Sequence, residues 1–426
     1  MHPLQLFQFR SLLAYNIIMT KNRHILLLNQ TFYPDTVATA QLFYDLGSNL
    51  VENGYRVSVL CSRACYGLRG TSFAKRENIS GVDVYRVGTN IASNKHIFGR
   101  LLNSFIFFVL VFFKGLRLNP DLLICGASPP MVAALARVMV SLKHVPMIYW
   151  VMDIYPDVAV RYGVLKKGSN LARILGLVSK KIYRSVEANV VLGRCMQQYI
   201  AEKEVDLSKV QLIPLWSVNE ISTHLSNSKL DEPHYRKLWN IEDKFVVMYS
   251  GNLGIGHDEQ TMCDVMLHFA NRSEIVFCIV GGGKRYSDVQ NFVNNKNLAN
   301  VLFFPPQPLT HLTNLLTAAD LHLISLRQEY ADVMVPSKFY GILSAKRPML
   351  FIGPQDSETA YQISDFKLGA CFNNGDVDGI VQYLEQSIKH PPRIDFQDAS
   401  LANSRTASLK KWKSLIESIL KIKKDL

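Results

Sequence analysis

Tyr249-Ser250-Gly251-Asn252-Leu253-Gly254-Ile255-Gly256-His257 decides the fold. The apolar run Phe245–Tyr249 feeds it and a helical pattern begins near Asp258, so it reads as a strand, a glycine loop and a helix start. Such a loop lets backbone N–H groups approach an anion, because glycine has no Cβ to hold a phosphate away, and the helix start adds the positive end of its dipole. Taken alone, a tight turn with no ligand would look the same. The next strand, Ile275–Val280, ends in a second flexible loop, Gly281-Gly282-Gly283-Lys284-Arg285. This loop departs from the dinucleotide fingerprint. Tyr286 stands where the third glycine belongs and no matching acid follows the next strand, which argues against a nicotinamide cofactor. A third element, Val333-Met334-Val335-Pro336-Ser337-Lys338-Phe339-Tyr340-Gly341, puts Pro336 at the start of a helix and Lys338 beside its outward N–H groups. Three anion-friendly loops at the carboxyl ends of strands in one sheet mark the edge where open α/β sheets bind ligands. Together they make a clamp for a diphosphate.

The same alternation extends outward in both directions. Downstream, Val301–Phe304, Leu321–Ile324, Met349–Ile352 and Ala370–Phe372 read as strands separated by helices. Upstream, Ile25–Leu28 opens a βαβ unit with a polar loop at 29–39, a helix from about Ala40 to Asn53 and a strand Tyr55–Cys61. Val82–Val87, Leu122–Cys125, Pro146–Met152 and Ala188–Leu192 continue it. The expected organisation is an extension at 1–18, an N-terminal Rossmann-like domain over 19–215, a polar linker at 216–243, a C-terminal Rossmann-like domain over 244–400 and a basic amphipathic helix over 401–426. Residues 1–18 have Arg10 inside the apolar stretch and no small-residue cleavage site, so they do not read as a signal peptide.

At 426 residues, with 48% hydrophobic and 19% charged content, the chain has enough apolar surface for two packed cores. A net charge of +12 favours an anionic partner. The charge is spread, with no aromatic-interleaved basic cluster or zinc-finger spacing, which sets nucleic acid aside in favour of phosphates and lipids. The seven cysteines are scattered and several sit in apolar runs. Cys61 and Cys65 have no second ligand pair, so reduced thiols in a cytoplasmic protein are expected. The longest apolar run, Phe105–Phe113, lies between Arg100 and the pair Lys114 and Arg117. It is too short to cross a bilayer and reads either as a buried helix or as a segment that dips into one leaflet with its cations at the headgroups.

Five motifs in order, spread over about residues 23 to 400, resemble bacterial family-4 glycosyltransferases of the GT-B fold. They are Asn29-Gln30-Thr31-Phe32-Tyr33-Pro34-Asp35, Asp153-Ile154-Tyr155-Pro156-Asp157, Ile213-Pro214-Leu215-Trp216, Tyr249-Ser250-Gly251-Asn252-Leu253-Gly254 and Pro336-Ser337-Lys338-Phe339-Tyr340-Gly341. The likeness is greatest to the branch that assembles surface polysaccharides and includes fucosaminyl- and fucosyltransferase-like members. The resemblance implies two Rossmann-like domains facing a cleft, with the nucleotide-sugar held by the second and the acceptor by the first. It also implies transfer with retention of configuration, in which the leaving diphosphate takes the acceptor proton and Lys338 stabilises its charge. One departure stands out. Many relatives carry a Glu-x7-Glu pair at the third element, where this chain has Val333 and Gly341, leaving Glu329 and Asp332 as the nearest acids.

The expected catalytic residues are therefore Asp153 and Lys338. The expected substrate-binding residues are Asp35, Asp157, Gly251, Asn252, Gly254, Gly282, Lys284, Pro336 and Ser337. Asp153 and Asp157 follow a buried strand toward the cleft, where an acid can orient or partly deprotonate an acceptor hydroxyl. Asp157, just after Pro156, also suits a helix cap. Asp376-Val377-Asp378 opens a helix after Asn373-Asn374-Gly375, so a capping role outweighs metal binding. No metal and no organic cofactor is expected. The donor is expected to be a UDP-sugar, with a GDP-sugar as the other candidate, and the acceptor a lipid-linked saccharide at the inner face of a membrane to which the protein attaches peripherally. Two other readings are an epimerase of nucleotide-sugars, which would need acids and a histidine converging on the sugar, and a non-catalytic partner subunit.

Overall fold

The structure, a computed structural model, describes residues 23–65, 72–88, 97–217 and 234–422. The expected extension at 1–18, residues 218–233 of the expected linker and residues 423–426 of the tail lie outside them. In the first domain β1 (His24–Leu28) is followed by α1 (Ala38–Glu52), β2 (Arg56–Ser62), β3 (Arg76–Ile79), β4 (Val82–Val87), α2 (Ile97–Leu116) and β5 (Leu122–Cys125). Then come α3 (Val132–Lys143), β6 (Met147–Trp150), α4 (Asp157–Arg161), α5 (Asn170–Ser185), β7 (Ala188–Val191), α6 (Arg194–Glu202) and β8 (Val210–Leu212). The second domain runs through α7 (Tyr235–Leu238), β9 (Phe245–Asn252), α8 (Glu259–His268), β10 (Ile275–Gly282), α9 (Tyr286–Lys296), β11 (Val301–Phe304), α10 (Leu312–Thr317) and β12 (Leu321–Ser325). It ends with α11 (Lys338–Ser344), β13 (Met349–Ile352), α12 (Glu358–Asp365), β14 (Gly369–Phe372), α13 (Val377–Lys389), α14 (Gln397–Ala402) and α15 (Arg405–Ile422).

The first sheet has the order β3-β4-β2-β1-β5-β6-β7-β8 and the second β11-β10-β9-β12-β13-β14. Apart from the antiparallel β3–β4 pair, the strands are parallel. Parallel strands are covered on both faces by their crossover helices, which is why β1, β5, β6 and β7 are buried along their whole length and apolar apart from His24 and Asn189. Each sheet reverses direction once. In the first the chain steps outward from β1 and returns at β5; in the second it steps outward from β9 and returns at β12. Loops leaving neighbouring strands at such a switch point diverge to opposite faces and leave a crevice between them. The Gly251–His257 loop leaves β9, and the segment carrying Lys338 leaves β12.

The two domains touch. The larger core runs from the first sheet into Tyr330, Val333, Phe339 and Tyr340 of the second domain. The final helix α15 returns to the first domain, where buried Trp412 meets Trp150 edge-on at 4.9 Å and Trp150 stacks on Trp216 at 5.9 Å. Arg405 pairs with the buried carboxylate of Asp45 at 2.7 and 2.8 Å, so its charge is compensated. No helix among the described residues is long and apolar enough to cross a membrane.

Candidate active site

The ends of β9 and β10 lie against each other, with Gly251 opposite Gly281 and Asn252 opposite Gly282. A Cβ on Gly281 would fall 2.3 Å from the Gly251 carbonyl oxygen, and one on Gly283 2.4 Å from that of Leu253; both glycines also hold positive φ, +133° and +126°. These two glycines are therefore demanded by backbone packing. Alanine at Gly281 should destabilise the fold by roughly 2–3 kcal/mol through clash and backbone strain. Thermal unfolding would register this as a melting point several degrees lower. Gly282 differs, since a Cβ there would meet nothing within 4 Å. The two loops are tied together by Leu253 N–H donating to Gly282 O (2.6 Å) and Arg285 N–H to Leu253 O (3.0 Å).

Lys338 comes from α11 into this loop. Its stem lies over Gly251, where a Cβ would stand 3.0 Å from its Cε. Its Nζ donates to Asn252 O at 3.0 Å and lies 3.4 Å from His257 Nε2, over the Tyr249 ring at 4.8 Å from the centroid. His257 Nδ1 is 2.6 Å from Ser325 O, an acceptor only, so Nδ1 carries the proton and Nε2 offers its lone pair to the lysine. Burial, and then Lys338 itself, push the His257 pKa down to about 3 and keep the ring neutral. Among the described residues no carboxylate pairs with Lys338. Burial with no countercharge pushes the lysine down to about 7. The site thus holds, among neutral acceptors, an amine that is cationic below about pH 7 and regains its charge beside an incoming anion.

The other charges around the loops are compensated. Asp258 caps α8 by accepting from Thr261 N–H at 3.3 Å, and Glu259 sits in the same first turn. These acids oppose the positive end of α8, so the dipole contributes less to anion binding than the loop sequence alone suggests. Arg285 pairs with Glu259 (3.1 Å) and Asp288 (3.2 Å), and Arg327 lies 3.6 Å from Glu259. Of the two bases leaving the Gly281 loop, the exposed Lys284 is the one these acids leave alone.

Asp153 follows β6 and reaches the same cleft. Ile154 N–H donates to Val333 O at 3.3 Å, which docks this segment on the strand-to-helix passage just ahead of Lys338. The Asp153 carboxyl has no hydrogen-bond partner among the described residues, and burial raises its pKa to about 6. Beside it is Tyr162, whose hydroxyl oxygen lies 3.4 Å from where a Cβ on Gly256 would stand.

Other expected site residues are placed differently. The Asp157 carboxylate accepts from Tyr199 (2.8 Å) and from Lys203 (3.1 Å to each oxygen), which ties the start of α4 to α6. Asp35 is buried in a loop closed by Val37 N–H on its carboxylate (3.4 Å) and by the Gln41 side chain on its carbonyl (2.6 Å). Pro336 is buried and Ser337 exposed one residue before α11, and a Cβ on Gly254 would meet only the Asn252 amide at 3.3 Å. Asp332 is held in an interdomain ion pair by Arg161, which also donates to Glu329 O. The Asp376 carboxylate accepts from Gly379 N–H at 3.1 Å as the cap of α13. The roles of His257 and Tyr249 escaped the sequence reading. The available signal was a histidine ending the very loop that the lysine enters. Next to the Arg161–Asp332 pair a cavity of about 370 Å³ opens between the domains, lined by Arg194, Gln198, Tyr199, Gln328 and Tyr361.

Two parallel-sheet domains meeting at a cleft, with a cation poised at a strand switch point, define the GT-B class of fold. Residues 39–216 match the family described as Glycosyl transferase 4-like domain. Over 383 residues the chain is 23% identical to WcaI of Escherichia coli, a protein named as a colanic acid biosynthesis glycosyl transferase; the match covers 86% of this chain and 92% of the relative. Among solved structures it superposes on the sucrose-phosphate synthase of Thermosynechococcus elongatus with a TM-score of 0.75 at 12% identity, covering 94% of this chain and 100% of the other. It superposes on Anabaena HepE in complex with UDP-glucose with a TM-score of 0.66 at 13% identity, covering 93% and 99%.

Proposed function

We propose that the protein transfers a sugar from a nucleoside-diphosphate donor, UDP-linked, to a lipid-linked or growing saccharide in surface polysaccharide synthesis, with retention of configuration and without a metal or organic cofactor. The observation that carries this reading is Lys338, a cation with no carboxylate partner among the described residues, set against the glycine loop at the β9–β12 switch point. A diphosphate leaving group develops negative charge as the glycosidic bond breaks, and a pre-positioned cation in a water-poor cleft stabilises that charge more than the ground state. The UDP-glucose complex of HepE and the polysaccharide named for WcaI support the choice of donor class and process. Asp153 orients the acceptor hydroxyl, and the leaving diphosphate takes its proton. Peripheral attachment at the inner membrane face would bring the lipid-linked acceptor to this cleft. The missing glutamates at Val333 and Gly341 leave sugar recognition to other groups, and the cavity beside Arg161 offers amides, carboxylates and tyrosines suited to hydroxyls.

The test is incubation of the purified protein with UDP- and GDP-sugars, each with and without lipid-diphosphate saccharides. The expected result is acceptor-dependent release of UDP and a product whose anomeric proton keeps the donor configuration. Epimerised donor without acceptor, or donor binding with no turnover, would each overturn the reading.

A further inference from the structure

The first domain carries a surface that the proposed chemistry does not use. Helices α2, α3 and α5 pack side by side, with α3 in the middle. The apolar run of α2 is neither wholly buried nor wholly exposed. Phe107 and Val111 face the core at 2% and 0% exposure, while Phe105 and Phe113 stand out at 64% and 59%. Leu142 on α3 and Leu177 on α5 extend the outward ridge at 62% and 68%. Exposed apolar surface of this extent marks an interaction site. Its charge pattern restricts the partner. In a chain with 35 acids, these three helices contain no Asp or Glu at all, and their bases include Lys114, Lys143, Lys181 and Arg184.

At one end of the ridge a groove of about 400 Å³ follows α5, lined by Leu177, Lys180, Lys181, Arg184 and Ser185. Glu204, from beyond α6, pairs with Lys180 (2.8 Å) and with Arg184, while Lys181 is exposed, so the groove keeps a net positive charge. An apolar ridge running into a cationic groove matches a phospholipid, with acyl chain and phosphate side by side. Nucleic acid would leave the phenylalanines without a partner. We propose that this face seats the protein on a bilayer containing anionic phospholipid, with Phe105, Phe113, Leu142 and Leu177 entering the acyl boundary and the α5 groove holding a lipid phosphate. The inference rests on the reading of a membrane-borne acceptor and assigns it a surface and a lipid class.

Flotation of the whole protein with vesicles of phosphatidylcholine, alone or mixed with phosphatidylglycerol, tests it. The expected result is binding to the mixed vesicles, weakened by salt, and little binding to the neutral ones. Phe105→Ser with Phe113→Ser, and separately Lys181→Glu with Arg184→Glu, should each lower the bound fraction roughly tenfold. Transfer from donor to a water-soluble saccharide should be unchanged in both variants. Equal binding to neutral and anionic vesicles, or variants that bind like the parent, would overturn the proposal. So would a parent that stays off vesicles but forms dimers lost on Phe105→Ser, since the face would then join two copies. If the parent binds anionic vesicles yet transfers no sugar to any acceptor, the enzymatic reading fails and the surface stands.

Discussion

Lys338→Ala should lower the rate of sugar transfer by roughly a hundred- to a thousandfold, the usual effect of removing one pre-positioned donor from developing negative charge. Fold stability should not fall with it. Burial pushes the lysine pKa down to about 7, against an ordinary value of 10.5. Below pH 7 the folded protein carries this cation at a cost, between about 7 and 10.5 it progressively escapes that cost by releasing the proton, and above that range no cost remains. Lys338→Met should thus unfold at a higher temperature than the parent, most clearly at acidic pH, while being as inactive as the alanine variant. The same shift predicts a proton balance on binding. At pH 8 most of the lysine is neutral, a bound diphosphate restores its charge, and close to one proton is taken up per donor. Calorimetry in two buffers of different ionisation enthalpy measures this directly, and Lys338→Met should abolish it. His257→Ala, which removes the acceptor at 3.4 Å, should reduce kcat more than it raises KM, because the lysine keeps its charge and loses its position.

The parts legible in the sequence were those with a strong local signal. Apolar runs, and in Val82–Val87 an alternation, identify the strands, and all twelve strands read in the sequence are strands of the two sheets. The strands it missed, β3 and β8, are short edge pieces: Arg76–Ile79 is polar and largely exposed, and Val210–Leu212 has three residues. Neither carries a hydrophobic run long enough to read. The glycine loops were legible for a ligand reason, yet Gly281 and Gly283 answer first to a backbone contact between loops that no single sequence displays. Asp157 and Asp153 lie four residues apart after one strand, and the sequence set them apart only by the helix-cap reading that Pro156 gives Asp157. The full separation is three-dimensional: Tyr199 and Lys203 take up Asp157, and nothing among the described residues takes up Asp153. The amphipathic tail likewise gave no sign that Trp412 would dock on Trp150, because that contact joins the last helix to a strand of the first domain far away in the chain.

Asp153→Asn is the second large effect, a fall of about a hundredfold in kcat, at the lower end of what a positioned acid or base contributes. Asparagine keeps the shape and can still hold a hydroxyl, so the loss isolates the carboxylate charge. That charge has a signature in pH. Burial raises the Asp153 pKa from 3.8 to about 6, so the parent's rate should fall as pH drops through 6, while the asparagine variant should lack this inflection. Stability should move the other way. An acid whose folded pKa lies above its unfolded one burdens the native state increasingly from about pH 4 to 6 and by a constant amount above, so Asp153→Asn should be at least as stable as the parent at pH 7. A slower enzyme that is no less stable cannot owe its loss to unfolding. If the variant instead kept the parent's rate at pH 7, the acceptor hydroxyl would need no carboxylate for its orientation. The chemistry would then rest on the leaving diphosphate as proton acceptor and on Lys338 as the group that stabilises it.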